Sequence, residues 1–212
     1  MELLTNGMGL SLVVFFPLIS AFIITLIPKA QEQLIKGFAL VSSLITFAIS
    51  AALLFQFDFS SADKLQLGNK ISWIKSINAN YEIGIDGISL PLLVLSTFIT
   101  VLAIIYSIEH LPEPKSPKGF LALILVLETG MNGTFVALDL ILFFVFFEIV
   151  LLPMYFMIGI WGDKTVRTVS GFKNQIETRL YASIKFFVFT FFGSAFMLLG
   201  FLGLYHRGNK TF

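Results

Sequence analysis

Apolar residues in this chain come in long unbroken runs. They do not alternate as in a half-buried strand, nor form the one-sided stripe of a surface helix. A helix crossing a bilayer needs about 20 mostly apolar residues, because each residue rises about 1.5 Å against about 30 Å of hydrocarbon. Six runs meet that length: 8–27, 37–57, 87–108, 119–138, 139–161 and 180–205. Pro28 and Lys29 stop the first, and His110 with Pro112 stops the third. The pattern predicts an all-α integral membrane protein with about six transmembrane helices, forming one transmembrane domain over 1–212. A water-soluble bundle would have too few polar residues to coat six such helices.

The polar stretches between the runs are mostly short. The exception is 58–85, where alternating runs at 64–67 and 70–74 flank Gly68 and Asn69. Gly and Asn tolerate the positive φ of tight hairpin turns, so this external loop reads as a short β-hairpin turning at that pair, or as a plain solvated loop. Residues 81–85 read as a further strand or as the lead-in to the third run. Residues 113–117 form a stiff, proline-containing polar connector. The link at 163–178 is longer than a minimal connection, and the sequence assigns it no function.

Composition supports the membrane class and excludes others. Of 212 residues, 57% are hydrophobic and only 13% charged, against about 25% charged in a typical soluble domain. The 25 Phe exclude a disordered chain, and the lack of Cys excludes a disulfide scaffold or a thiolate metal site. A net charge of +1 gives no basic patch for nucleic acid. Residues 1–7 lack a basic n-region and no small-x-small site follows Ile27, so the first helix is expected to be retained.

Lys and Arg in the loops set the expected orientation. Lys29, Lys36, Lys115, Lys118, Lys164, Arg167, Lys173 and Arg179 follow runs 1, 3 and 5. Lys64, Lys70, Lys75, Arg207 and Lys210 lie on the other side. The first side is expected to be cytoplasmic, with the N-terminus outside and a bacterial plasma membrane as the location.

Three ionisable residues fall inside the runs: Glu128, Glu148 and Lys185. An ionised group at mid-bilayer costs at least about 2.5–3.5 kcal/mol on insertion scales, so it faces protein or water and serves a purpose. Glu148 lies nine residues into the fifth run, too deep to snorkel. It reads as a proton-relay carboxyl, or as a neutral one hydrogen-bonded to a neighbouring helix. Pro153 removes the helical partner of the Ile149 carbonyl and is expected to kink the span just beyond Glu148, where freed carbonyls can hold water. The kink can equally serve packing alone. The short link around Ala137, Leu138 and Asp139 makes the fourth and fifth helices antiparallel neighbours. That puts Glu128 at nearly the depth of Glu148; whether the two face each other does not follow from the sequence. Lys185 is five residues into the sixth run, near enough to the surface to snorkel. Otherwise it modulates Glu148 through water.

Several of these residues also carry a family resemblance. Residues 85–92 (IDGISLPL), the Leu138-Asp139-Leu140 link, Phe146-Phe147-Glu148, Leu152-Pro153-Met154-Tyr155, Ile160-Trp161-Gly162 and residues 181–187 (YASIKFF) resemble the antiporter-like subunits of respiratory complex I. The match is to subunit M, the counterpart of mitochondrial chain 4. The resemblance implies proton translocation through buried Glu, Lys and water, coupled to quinone reduction in other subunits. It implies a fold of about fourteen helices built from inverted repeats, of which this chain is the N-terminal part. It puts the family's key glutamate at Glu148 and a frequent lysine at Lys185, with a weaker carry-over to Glu128. It also implies that NADH, FMN, iron-sulfur clusters and quinone sit in partner subunits, with no cofactor in this chain. The expected partners are the other membrane-arm and hydrophilic subunits and the lipid bilayer. A chain ending at Phe212 lacks the second repeat, so it reads as a fragment that does not pump alone. Other readings are a subunit of a multisubunit cation/proton antiporter or membrane-bound hydrogenase, or a non-catalytic six-helix scaffold.

Overall fold

A computed structural model of the chain describes residues 7–111, 114, 116–167 and 176–208. Lys115, Lys173 and Lys210, used above for orientation, lie outside the described residues, as do Pro112, Glu113 and residues 168–175 of the 163–178 link.

The six apolar runs form α1 (Met8–Leu26), α2 (Glu32–Leu53), α3 (Ser89–Glu109), α4 (Pro117–Val136), α5 (Leu140–Trp161) and α6 (Thr178–Arg207). All six are long and apolar enough to cross a membrane. Local chemistry sets their ends. Ile27 is extended at ψ 132°, as expected before Pro28, and ends α1. Pro117 opens α4 at a position where its missing N–H has no helical partner to lose. The second helix occupies Glu32–Leu53, not 37–57. Polar Glu32, Gln33 and Lys36 add a turn beyond the apolar run, with Glu32 favoured by the helix dipole. At the other end, residues 54–57 leave the helix through tight turns.

The most buried span is α4. It packs against α1, α2 and α3 on one side and α5 on the other, while α6 packs on α5. The contact with α5 depends on two glycines. A Cβ on Gly133 would overlap the Phe146 ring, and one on Gly130 would lie 2.6 Å from Val150 Cγ2. Their absence lets the two backbones approach closely.

A hairpin forms in the long loop, but it turns elsewhere than at Gly68-Asn69. Those two residues lie inside β1 (Gln66–Ile74), which pairs antiparallel with β2 (Ala79–Ile85). The turn is a 3-10 segment at Lys75–Ile77, closed by Asn78 in the left-handed region at φ 55°. The Gly-Asn pair instead borders a register shift between Gln66 and Asn69, with Leu67 at φ 52°. It supplies the local freedom of a bulge, not of a loop. A second pair, β3 (Val166–Arg167) and β4 (Ile176–Glu177), closes the ends of the α5–α6 link.

Among the described residues, the core consists of two apolar clusters. One, toward the hairpin, includes Leu10, Val13, Leu53, Leu93 and Val136. The other, toward the opposite end, includes Ile24, Ala39, Ile104, Leu121 and Leu125.

Candidate functional site

On α5, Glu148 is half-buried, and its Oε1 is buried without a hydrogen-bond partner. At 3.6 residues per turn, it lies within about 20° of Tyr155 and Gly159 around the helix. Those residues meet α6: the Tyr155 ring is 5.3 Å from that of Phe187, and a Cβ on Gly159 would sit 3.3 Å from Ser183 Oγ. Extending this antiparallel register brings Ser194 to the level of Glu148. Ser194 is buried and belongs to the stripe Ser183, Phe187, Thr190, Ser194, which shares one face of α6. Its three hydroxyls each donate to their own helix, to Leu180, Phe186 and Phe191 carbonyls at 2.8–3.0 Å. They therefore present acceptor lone pairs along the α5–α6 seam. A protonated carboxyl, or water, can donate to them.

Pro153 is buried and sits roughly 140° around α5 from Glu148, on the side of Phe146 that meets α4. The helix continues through it to Trp161.

Lys185 points away from this seam. It is exposed and lies roughly 160° around α6 from Ser183 and Phe187. Its Nζ stands 5.5 Å over the Tyr181 ring, in a groove with Val188, Phe189 and Phe192. The helix register sets it about 14 Å in depth from Glu148.

Glu128 is fully buried on α4, with neither carboxyl oxygen hydrogen-bonded. It lies roughly 140–160° around α4 from Gly130 and Gly133, which touch α5. Its side chain therefore belongs to the interface with α1, α2 and α3. The two carboxyls share a depth to within about one helical turn but occupy different seams. The three candidate residues are thus distributed over three faces, not gathered at one centre.

Asp139 was legible only as part of a motif, yet it organises this region. It is 1% exposed. Its Oδ1 accepts from the N–H groups of Ile141 and Leu142, capping α5, and its Oδ2 accepts from Asn80 N at 2.7 Å. Leu138 N donates to the Glu82 carbonyl, completing the attachment of β2 to the α4–α5 link. Asp86 does similar work before α3. Backbone N–H groups of Ser89 and Ile88 bind its carboxylate and hold its pKa below the ordinary value.

Six membrane-length helices with carboxyls enclosed in their seams define a multi-span membrane protein with ionisable groups in its interior. Residues 12–134 match the family described as NADH-ubiquinone oxidoreductase chain 4, amino terminus, and residues 137–212 match the NADH:quinone oxidoreductase/Mrp antiporter transmembrane family. The chain belongs to the NADH-ubiquinone oxidoreductase chain 4 family. It is 35% identical over 202 residues to F(420)H(2) dehydrogenase subunit M of Methanosarcina mazei, covering 95% of this chain and 37% of that protein. It is 34% identical over 201 residues to NADH-quinone oxidoreductase subunit M of Rickettsia prowazekii, covering 93% and 38%. The chain therefore spans little more than a third of the length of these relatives. Its fold resembles a chain of the Mrp complex from a Dietzia species, with TM-score 0.72, 16% identity and coverage of 95% of this chain and 20% of that one. It also resembles a chain of the archaeal membrane-bound sulfane sulfur reductase, with TM-score 0.70, 18% identity and coverage of 95% and 28%.

Proposed function

We propose that the chain forms the N-terminal part of a proton-translocating membrane subunit of a quinone-reducing respiratory complex, with Glu148 as its proton-holding carboxyl. The observation that carries this reading is the position of Glu148. It is a mid-span carboxyl with an unpartnered buried oxygen, turned toward the acceptor stripe that ends at Ser194. A group so placed can hold a proton out of bulk water and release it along a hydrated seam. Lys185 acts from the far face of α6, where further helices of the subunit would meet it. Glu128 handles protons in a separate seam. Electron transfer belongs to partner subunits carrying NADH, FMN, iron-sulfur clusters and quinone. The excess of Lys and Arg supports a reading with the α1–α2, α3–α4 and α5–α6 links in the cytoplasm of a bacterial cell and the N-terminus outside.

A cation/proton antiporter is the second reading, favoured by the joint family matched at 137–212. Proton pumping by the assembled complex in inverted vesicles tests the first. Glu148→Gln is expected to reduce quinone-dependent acidification strongly while the complex still assembles. Acidification driven only by a sodium gradient would support the antiporter reading instead.

A further inference from the structure

Between the two apolar clusters, the four-helix part of the molecule has a polar waist. On α2, the residues between Ala39 and Leu53 that face the core are Ser42, Ser43, Thr46 and Ser50. On α3, Ser96, Thr97 and Thr100, followed by Val101, separate Leu93 from Ile104. On α4, Glu128, Thr129 and Asn132 separate Leu125 from Val136. On α1, the corresponding stretch holds Pro17 and Ser20. All of these residues are buried.

Hydrogen bonding divides the waist into two levels. Toward the hairpin it is satisfied: Ser50 and Thr97 hydroxyls pair at 2.7 Å, Ser96 donates to Asn132 Oδ1 at 3.2 Å, and Asn132 Nδ2 donates to the Val13 carbonyl. Toward the other end it is not. Both oxygens of Glu128 and the Ser42 hydroxyl are buried without partners. Other buried hydroxyls of these stretches have already donated to their own helices: Ser43 to Leu40, Thr46 to Ser42, Thr100 to Ser96 and Thr129 to Leu125. What they offer inward is acceptor lone pairs. Buried polar groups in native proteins find partners, and where side chains do not supply them, ordered water does.

We propose that this level of the waist is a buried water-binding site, in which one or more waters join Glu128 to Ser42 and the neighbouring hydroxyls, and through which Glu128 exchanges its proton. The proton passes from the carboxyl O–H to a bound water and returns by the same route, leaving a carboxylate only transiently. An acceptor-rich lining suits donors, hence water and a protonated carboxyl, and excludes an anion. The facing stretches of α1, α2 and α3 carry no other titratable side chain at this depth; Lys36 and Glu32 lie at one end of α2, and Tyr106 and Glu109 at the end of α3. Across α4, the Gly130–Gly133 face and α5 separate the site from Glu148. The inference deepens the proton-handling reading above and rests on it for its physiological meaning. Its test is spectroscopic, so either can fail without the other.

Infrared spectroscopy of the assembled complex from its own membranes reads the carbonyl stretch of protonated carboxyls during transfer from H2O to D2O. A band is expected that Glu128→Gln removes, that Glu148→Gln retains, and that shifts soon after transfer. If the glutamine variant does not assemble, Glu128→Asp assigns the band by moving it. Ser42→Ala removes one hydrogen bond to the bound water and is expected to slow the shift on the order of ten-fold. A Glu128 band that does not shift over hours would mean a dry site and overturn the proposal. So would absence of the band, an unchanged rate in Ser42→Ala, or loss of the band on adding sodium, which would mark a cation bound to the carboxylate.

Discussion

Asn132 on α4 donates its side-chain N–H to the Val13 carbonyl of α1 at 3.2 Å. Val13 lies four residues before Pro17, which has no N–H to complete the helical bond. The proline in α1 and the asparagine in α4 are thus one device. The first frees a buried carbonyl within the apolar span, and the second satisfies it and joins the two helices.

Replacing Asn132 by Leu is expected to leave that carbonyl and the Ser96 hydroxyl unpaired inside the bundle. Each such loss costs about 1–3 kcal/mol. Thermal unfolding in detergent is the check: the variant is expected to melt several degrees lower, whereas Asn132→Gln, able to reach the same groups, recovers part of the loss.

Asp139 is a second anchor, and its role differs. Asp139→Ala removes the α5 cap, worth about 0.5–2 kcal/mol, and the acceptor for Asn80 N. Hydrogen exchange is expected to quicken at Asn80 and at the first turn of α5 while α2 stays protected. Equal loosening of α2 would contradict the local account.

At the α4–α5 contact, Gly133→Ala is expected to push the helices apart, because the new methyl would occupy the space of the Phe146 ring. Overpacking of this kind costs about 1–3 kcal/mol. Adding Phe146→Leu makes room and is expected to restore stability in part. A double variant no better than the single one would point away from this contact.

Acid sensitivity of the α3 start follows from Asp86. The N–H groups of Ser89 and then Ile88 hold its folded pKa below the ordinary value of 3.8. Its stabilising contribution is therefore present above that value and is lost as pH falls through the lower folded pKa. The stability difference between the wild type and Asp86→Ala, measured by detergent melting, is expected to be constant above about pH 5 and to shrink below pH 4. A difference that grows on acidification would mean that the Asp86 carboxylate does not stabilise the start of α3.

The helices were legible because an apolar run of membrane length has almost no other stable form. Their faces were not. Nearly every side chain on α5 is apolar, so no stripe marks which side meets α4 and which meets α6. Similar distances along the chain from Asp139 put Glu128 and Glu148 at nearly the same depth, but only the close approach at Gly130 and Gly133 shows that they turn apart. The waist was missed for a related reason. Ser42, Thr46, Ser50, Ser96 and Thr100 are small and barely interrupt a hydropathy run, although their i, i+4 spacing was there to be read. The Gly68-Asn69 pair misled because the same conformational freedom serves a turn or a bulge, and strand pairing decides between them.

In the proposed function, Glu148 holds the transported proton. The most direct test is the proton-to-electron ratio of the assembled complex carrying Glu148→Gln, with Glu148→Asp alongside. Gln is expected to lower the ratio strongly at matched assembly, and Asp, which keeps the carboxyl, to restore much of it. A wild-type ratio in the Gln variant would contradict the account and leave Glu148 a buried carboxyl that serves packing alone.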